Sequence, residues 1–143
     1  CQVSIMEKPL LIKGGSHQDH RGNLKYNNTF DASLIKRVYT ISNTQDNPAR
    51  GWIGHKIESR WFSCLKGSFK VSLIAIDDWE TPSINLCKNE FQILNETFDV
   101  LHAPPGYIFR LEMLEDDSIL LIMADYALGE VKDEYRYDLE YFN

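Results

Sequence analysis

The sequence predicts an all-β domain on three observations. Short runs of strand character recur along the chain, turn-forming residues part them every ~8–12 residues, and a helical period enters only after residue 130. Many short strands at such spacing build a β-sandwich or a barrel. Gly14-Gly15, Asn27-Asn28 and Asn47-Pro48 break the first third of the chain into short segments. Lys66-Gly67 then opens the clearest strand, Ser68–Ala75. Phe69, Val71, Leu73 and Ala75 take one face of it, and Ser68, Lys70 and Ser72 the other. Two shorter candidates, residues 84–87 and 90–94, follow the Thr81-Pro82 break. Pro104-Pro105-Gly106 precedes Tyr107–Met113, which sets Arg110 and Glu112 opposite Phe109 and Leu111. Glu115-Asp116-Asp117 precedes residues 118–124, a continuous apolar run suited to a strand buried on both faces. From Glu130 on, Tyr135, Leu139 and Phe142 fall at i, i+4 and i+7. That stripe predicts a short C-terminal helix packed on the sheet, or else an extended aromatic tail.

A chain of 143 residues makes about one domain and can bury a core without a metal or disulfide staple. Its 43% hydrophobic and 25% charged composition excludes disordered and collagenous classes. The longest apolar runs, near residues 71–76 and 119–124, fall far short of the ~20 residues of a membrane-spanning helix. Fifteen basic against 21 acidic residues give a net charge of −6, which argues against nucleic acid and anionic membrane as partners. An anionic ligand therefore needs a local basic cluster. Cys1, Cys64 and Cys87 show no Cys-x-x-Cys spacing, so a reducing, cytoplasmic setting is expected, with Cys64 and Cys87 as small apolar fillers. Residues 1–5, Cys1 included, are read as lying upstream of a natural start at Met6 and foreign to the natural chain, within a single domain spanning 1–143.

The informative stretch is residues 50–67. It has the spacing of the first cupin motif, in which a strand offers His-x-His, then an acid, then glycine. Pro104-Pro105-Gly106-Tyr107-Ile108-Phe109 has the spacing of the second, Pro-x-Gly-x-x-His. The pair resembles the double-stranded β-helix, the cupin jelly roll. A metal cupin needs three or four imidazole and carboxylate ligands converging in the barrel. Here Ile53, Arg60 and Phe109 occupy three of those positions and only His55 remains, so no metal is expected.

The run of Asp19-His-Arg21-Gly22, Ile35-Lys-Arg37-Val-Tyr39 and Arg50-Gly51-x-x-x-His55-Lys56 resembles the dTDP-sugar 3,4-ketoisomerases, relatives of the dTDP-4-dehydrorhamnose 3,5-epimerases. Thr81-Pro-Ser and Pro104-Pro-Gly-Tyr look more like the epimerase branch, and the likeness spans residues 14–126. The resemblance implies a homodimeric RmlC-like cupin, often with an exchanged N-terminal strand. It implies a dTDP-linked 4-keto-6-deoxyhexose in the barrel mouth and proton transfer next to the ketone, with no cofactor. Such chemistry needs a base near neutral pKa and a donor for the developing oxyanion.

The chain departs from these relatives at Ile53, where they carry the histidine usually taken as the base. Either His55 has taken over that role, with Tyr39 as proton donor, or the pocket binds its ligand without turnover. Arg21 and Arg50 fall at the phosphate-contact motifs, since the planar guanidinium fork suits phosphate oxygens. Arg37, Lys56 and Arg60 join them as ligand contacts. Tyr107, with Trp52 and Trp61, either stacks on a base or sugar or fills the core. His17, His20 and His102 read as loop or surface histidines, and Asp116-Asp117 and the acidic tail as solvated charge.

Overall fold

The computed structural model describes residues 7–143, so the expectations for Cys1 and for a start at Met6 lie outside the described residues. Twelve strands follow in order: β1 (Leu10–Ile12), β2 (Gly15–Asp19), β3 (Gly22–Tyr26), β4 (Arg37–Ile41), β5 (Ala49–His55), β6 (Arg60–Lys66), β7 (Ser68–Ala75), β8 (Lys88–Leu94), β9 (Val100–Ala103), β10 (Tyr107–Met113), β11 (Ile119–Ala124) and β12 (Glu134–Arg136). One five-stranded sheet has the order β1-β9-β6-β11-β4 and another the order β12-β5-β10-β7-β8, while β2 and β3 form a hairpin of their own. Every pairing is antiparallel.

Alternation decides what fills the space between the sheets. Phe69, Val71 and Leu73 of β7, Phe109 and Leu111 of β10, Phe62 of β6 and Leu120 and Ile122 of β11 interdigitate there. The opposite face of β7 is not solvated as its polar residues suggest. Ser68 and Ser72 are buried, bonded to Glu115 Oε2 at 2.8 Å and Glu90 Oε2 at 3.3 Å. Ile74 packs there with Ile108, Trp52 and Phe142 in a second cluster.

Phe142 arrives in a segment that differs from the predicted helix. Among the described residues the C-terminal part holds no helix; residues 134–136 pair with β5 and an irregular aromatic tail follows. The edge of β5 offers unpaired backbone groups, and the chain satisfies them rather than its own helix. Trp52 and Tyr137 exchange backbone bonds of 3.1 and 2.9 Å. Tyr137 and Tyr141 donate their hydroxyls to the carbonyls of Trp79 and Pro82, each at 2.6 Å.

Three smaller expectations are also corrected. Residues 84–87 form no strand, because β8 already pairs with β7 from Ser68 to Ile74 and leaves no ladder for them. Cys87 is disulfide-bonded rather than a free apolar filler, so the cysteines no longer argue for a reducing compartment; Cys64 is free and buried. His102 is half-buried in β9, stacked on Trp61 at 4.8 Å, rather than a loop histidine. Among the described residues no helix is long and apolar enough to cross a membrane.

Candidate functional site

The Arg-Gly step of β5 shapes the site. Gly51 has φ +132°, where side chains are strained, and a Cβ there would meet the Phe109 carbonyl oxygen at 2.7 Å. The ladder between β5 and β10 slips beside it, between Phe109 and Arg110. Simple alternation would turn residues 51, 53 and 55 inward and 50 away. The slip lets Arg50 face the same cavity as Ile53 and His55.

That cavity, of about 410 Å³, opens between the two sheets. Arg37 and Tyr39 of β4, Arg60 of β6, Phe109 of β10, Ile122 of β11 and Glu134 and Arg136 of β12 complete its walls. All four cupin ligand positions, 53, 55, 60 and 109, therefore converge as the motif spacing predicted. The same cavity gathers five of the predicted site residues: Arg37, Tyr39, Arg50, His55 and Arg60.

Three predicted residues lie elsewhere. Arg21 sits at the β2–β3 turn, side chain 79% exposed, bonded to Asp19 at 2.9 Å. Lys56, just past the end of β5, lies over the rings of Tyr135 and Trp79. Tyr107 is buried in the core, and burial pushes its phenol pKa up. None of the three lines the cavity.

His55 is 4% exposed. Its Nδ1 lies 3.4 Å from Asp133 Oδ1 and 3.6 Å from Glu58 Oε2. Asp133 Oδ2 accepts the backbone N–H groups of Ile57 and Glu58 at 2.7 and 2.9 Å. Burial would raise the Asp133 pKa, but hydrogen bonds from the Glu58 carboxyl and these N–H groups outweigh it and bring it to about 2. Glu58 moves the other way, raised by burial and by its bond to Asp133. Burial, then the charge of Arg60, lowers His55 against the pull of Asp133. The arrangement is a neutral imidazole braced through Nδ1 by an ionised carboxylate, with Nε2 left to take a proton.

His55, Glu58 and Asp133 are also a trio whose potential ligand atoms lie within 4.8 Å of one another. Asp133 Oδ2 is already occupied by two N–H groups, and the Arg60 guanidinium stands 3.0 Å from Glu58 Oε1. A fixed positive charge at that distance opposes a cation, so these residues fit a proton network better than a metal.

Glu58, Asp133, Glu134 and Arg136 were not singled out from the sequence. A signal for the last two existed. Glu134 and Arg136 line the cavity while Tyr135 meets Trp79 at 4.7 Å, a period of two masked by the i, i+4, i+7 stripe.

The sequence model of the family described as WxcM-like, C-terminal, matches residues 7–143. The chain belongs to the WxcM-like family. A search of curated proteins returned no match. Among solved structures, the WxcM-like chain is similar to a sugar 3,4-ketoisomerase from Thermoanaerobacterium thermosaccharolyticum, a mutant in complex with TDP-4-keto-6-deoxyglucose. The TM-score is 0.69 at 25% identity over 93% of this chain and 90% of that one. A 3,4-ketoisomerase from Helicobacter canadensis shares the fold with a TM-score of 0.71 at 17% identity, over 95% and 96% of the two chains. A 3,5-epimerase acting on dTDP-4-dehydrorhamnose, from Sulfolobus tokodaii, does so at 0.73 and 16%, over 99% and 83%. The WxcM-like chain is thus an RmlC-like cupin with an all-β jelly-roll architecture.

Proposed function

We propose that this protein is a nucleotide-sugar isomerase acting on a dTDP-4-keto-6-deoxyhexose by proton transfer next to the ketone. The observation that carries the reading is His55, the imidazole on a cavity wall with Arg37, Arg50 and Arg136, held through Nδ1 by Asp133. A lowered pKa keeps that imidazole unprotonated near neutral pH, the state a general base requires. The three arginines give a chain of net charge −6 the local basic cluster that a diphosphate needs. The similar T. thermosaccharolyticum ketoisomerase, crystallised with TDP-4-keto-6-deoxyglucose, supports the ligand class.

One base serves ketoisomerisation through a shared enediol, whereas epimerisation needs an acid on the opposite sugar face. Tyr39 is the hydroxyl-bearing residue on the described lining, and its ring is covered by the Arg37 guanidinium at 4.3 Å. We therefore favour 3,4-ketoisomerisation with His55 as base and Tyr39 as proton carrier, without metal or cofactor. Ile53 and Phe109 favour a second reading, a sugar-nucleotide binder without turnover. Incubation with dTDP-4-keto-6-deoxyglucose in D2O, followed by NMR, separates them: the enzyme moves the ketone to C3 and leaves deuterium on C4, and the binder leaves every carbon-bound proton in place.

A homodimer is part of this reading. The β2–β3 hairpin is a separate two-stranded sheet with Leu24 61% exposed, and Val38 on the edge strand β4 is equally open. A second copy against these residues would give Arg21 a nucleotide to contact. Light scattering at twice the chain mass is the expected result.

A further inference from the structure

We propose that Asn43 is a positioning residue for the diphosphate: its side-chain amide aims the Arg50 guanidinium so that the end of the fork is presented to the ligand. This rests on the nucleotide-sugar reading above. Arg50 is exposed near the start of β5 and lines the cavity. An untethered arginine there would sample many rotamers, and a ligand would have to order it on binding. Arg50 is tethered. Its Nε donates to Asn43 Oδ1 at 2.7 Å and its Nη2 to the Ser42 carbonyl at 3.3 Å. A guanidinium carries five N–H groups in a planar fork. Those two acceptors take its side edge, and the end edge, shared by Nη1 and Nη2, is left for two oxygens of a phosphate.

Asn43 is itself held from behind. Its Nδ2 donates to the Pro48 carbonyl at 2.7 Å and to the Leu111 carbonyl at 3.2 Å. The Pro48 carbonyl also accepts the Met113 N–H at 2.8 Å, and Leu111 is the ladder partner of Arg50. The amide is thus keyed to β10, the strand against which Arg50 is registered.

The chemistry of this position suits asparagine. Two carbonyls need a donor facing them and the Arg50 Nε–H needs an acceptor, and one amide supplies both. An aspartate would set a carboxylate against two carbonyl oxygens, and an aliphatic side chain would leave the guanidinium untethered. A fork ordered before the ligand arrives spares the binding step that cost.

The test is a double-mutant cycle read by calorimetry with dTDP. Arg50→Ala should weaken binding about 10–100-fold, as a charged hydrogen-bond partner is lost. Asn43→Ala should weaken it about 3–10-fold, the cost of ordering one long side chain on binding. The double variant should bind no worse than Arg50→Ala alone, because Asn43 acts through that guanidinium. In turnover the loss should fall on KM with kcat held. Arg50→Lys leaves Asn43 and its carbonyl bonds in place and keeps the charge, but has no fork to aim. It should lose nearly as much as Arg50→Ala. Unchanged affinity in Asn43→Ala, losses that multiply in the double variant, a loss confined to kcat, or full affinity in Arg50→Lys overturns this proposal alone. Wild-type protein that binds neither dTDP nor any nucleotide sugar overturns the proposed function with it.

Discussion

His55 and Asp133 can be separated by what each change does to pH dependence. Replacing a positioned general base costs about 10²–10⁴ in rate. His55→Asn should therefore abolish deuterium wash-in while dTDP affinity, measured by calorimetry, stays near wild type. Equal exchange by the variant would show that another group is the base. Asp133 acts through the imidazole, whose pKa its charge raises against burial and Arg60. Asp133→Asn should thus move the acidic limb of the rate profile to lower pH as well as lower the plateau. A variant that loses rate with the limb in place would mark Asp133 as a structural residue only. Neither partner of His55 was visible from local sequence. The motif strand announced His55 through its spacing from Arg50-Gly51, whereas Asp133 sits in an acidic stretch that looks solvated and is 5% exposed.

Strands were legible where turn residues and alternation agree, as in β7, β10 and β11. The C-terminal helix was misread because Tyr135, Leu139 and Phe142 satisfy a helical stripe that the free edge of β5 overrides. Tyr137, Tyr141 and Phe142 instead pack on Trp52, Ile74 and Ile108 at the outer face of the second sheet. Phe142, 6% exposed and 5.3 Å from the Trp52 ring, closes that cover. Phe142→Ala should cost about 3–5 kcal/mol in urea melts, with dTDP affinity of the folded fraction retained, since Phe142 does not line the cavity. Gly54 is equally exposed to test. A Cβ there meets the Tyr107 carbonyl oxygen at 2.9 Å and the Ile108 side chain more closely still. Gly54→Ala should destabilise by about 1–3 kcal/mol through overpacking. An unchanged midpoint would mean that β5 and β10 part more easily than their ladder suggests.

The barrel as a whole carries a proton-linked stability set by buried imidazoles. Burial lowers the pKa of His102, stacked on Trp61, against the weaker pull of Glu7 and Asp125. The unfolded chain then binds the proton more readily than the fold does. The stabilising contribution is full above the ordinary value near ~6.5 and is lost as pH falls through the lowered folded value. Stability should decline between pH 7 and 5, and the slope should flatten in His102→Phe, which keeps a ring on Trp61. A slope unchanged by that substitution would assign the proton elsewhere. Fold class and the four converging motif positions were readable because alternation and turns are local properties. The contact that completes the site is not local: His55 and Asp133 stand 78 positions apart. That span has a consequence in time. Hairpins such as β2–β3 close over short loops, whereas the imidazole meets its carboxylate only after β12 has reached β5, across a far longer closure. On dilution from denaturant the far-ultraviolet sheet signal should therefore return before deuterium exchange does, and the chain passes through an interval as a formed sheet that cannot yet move a proton.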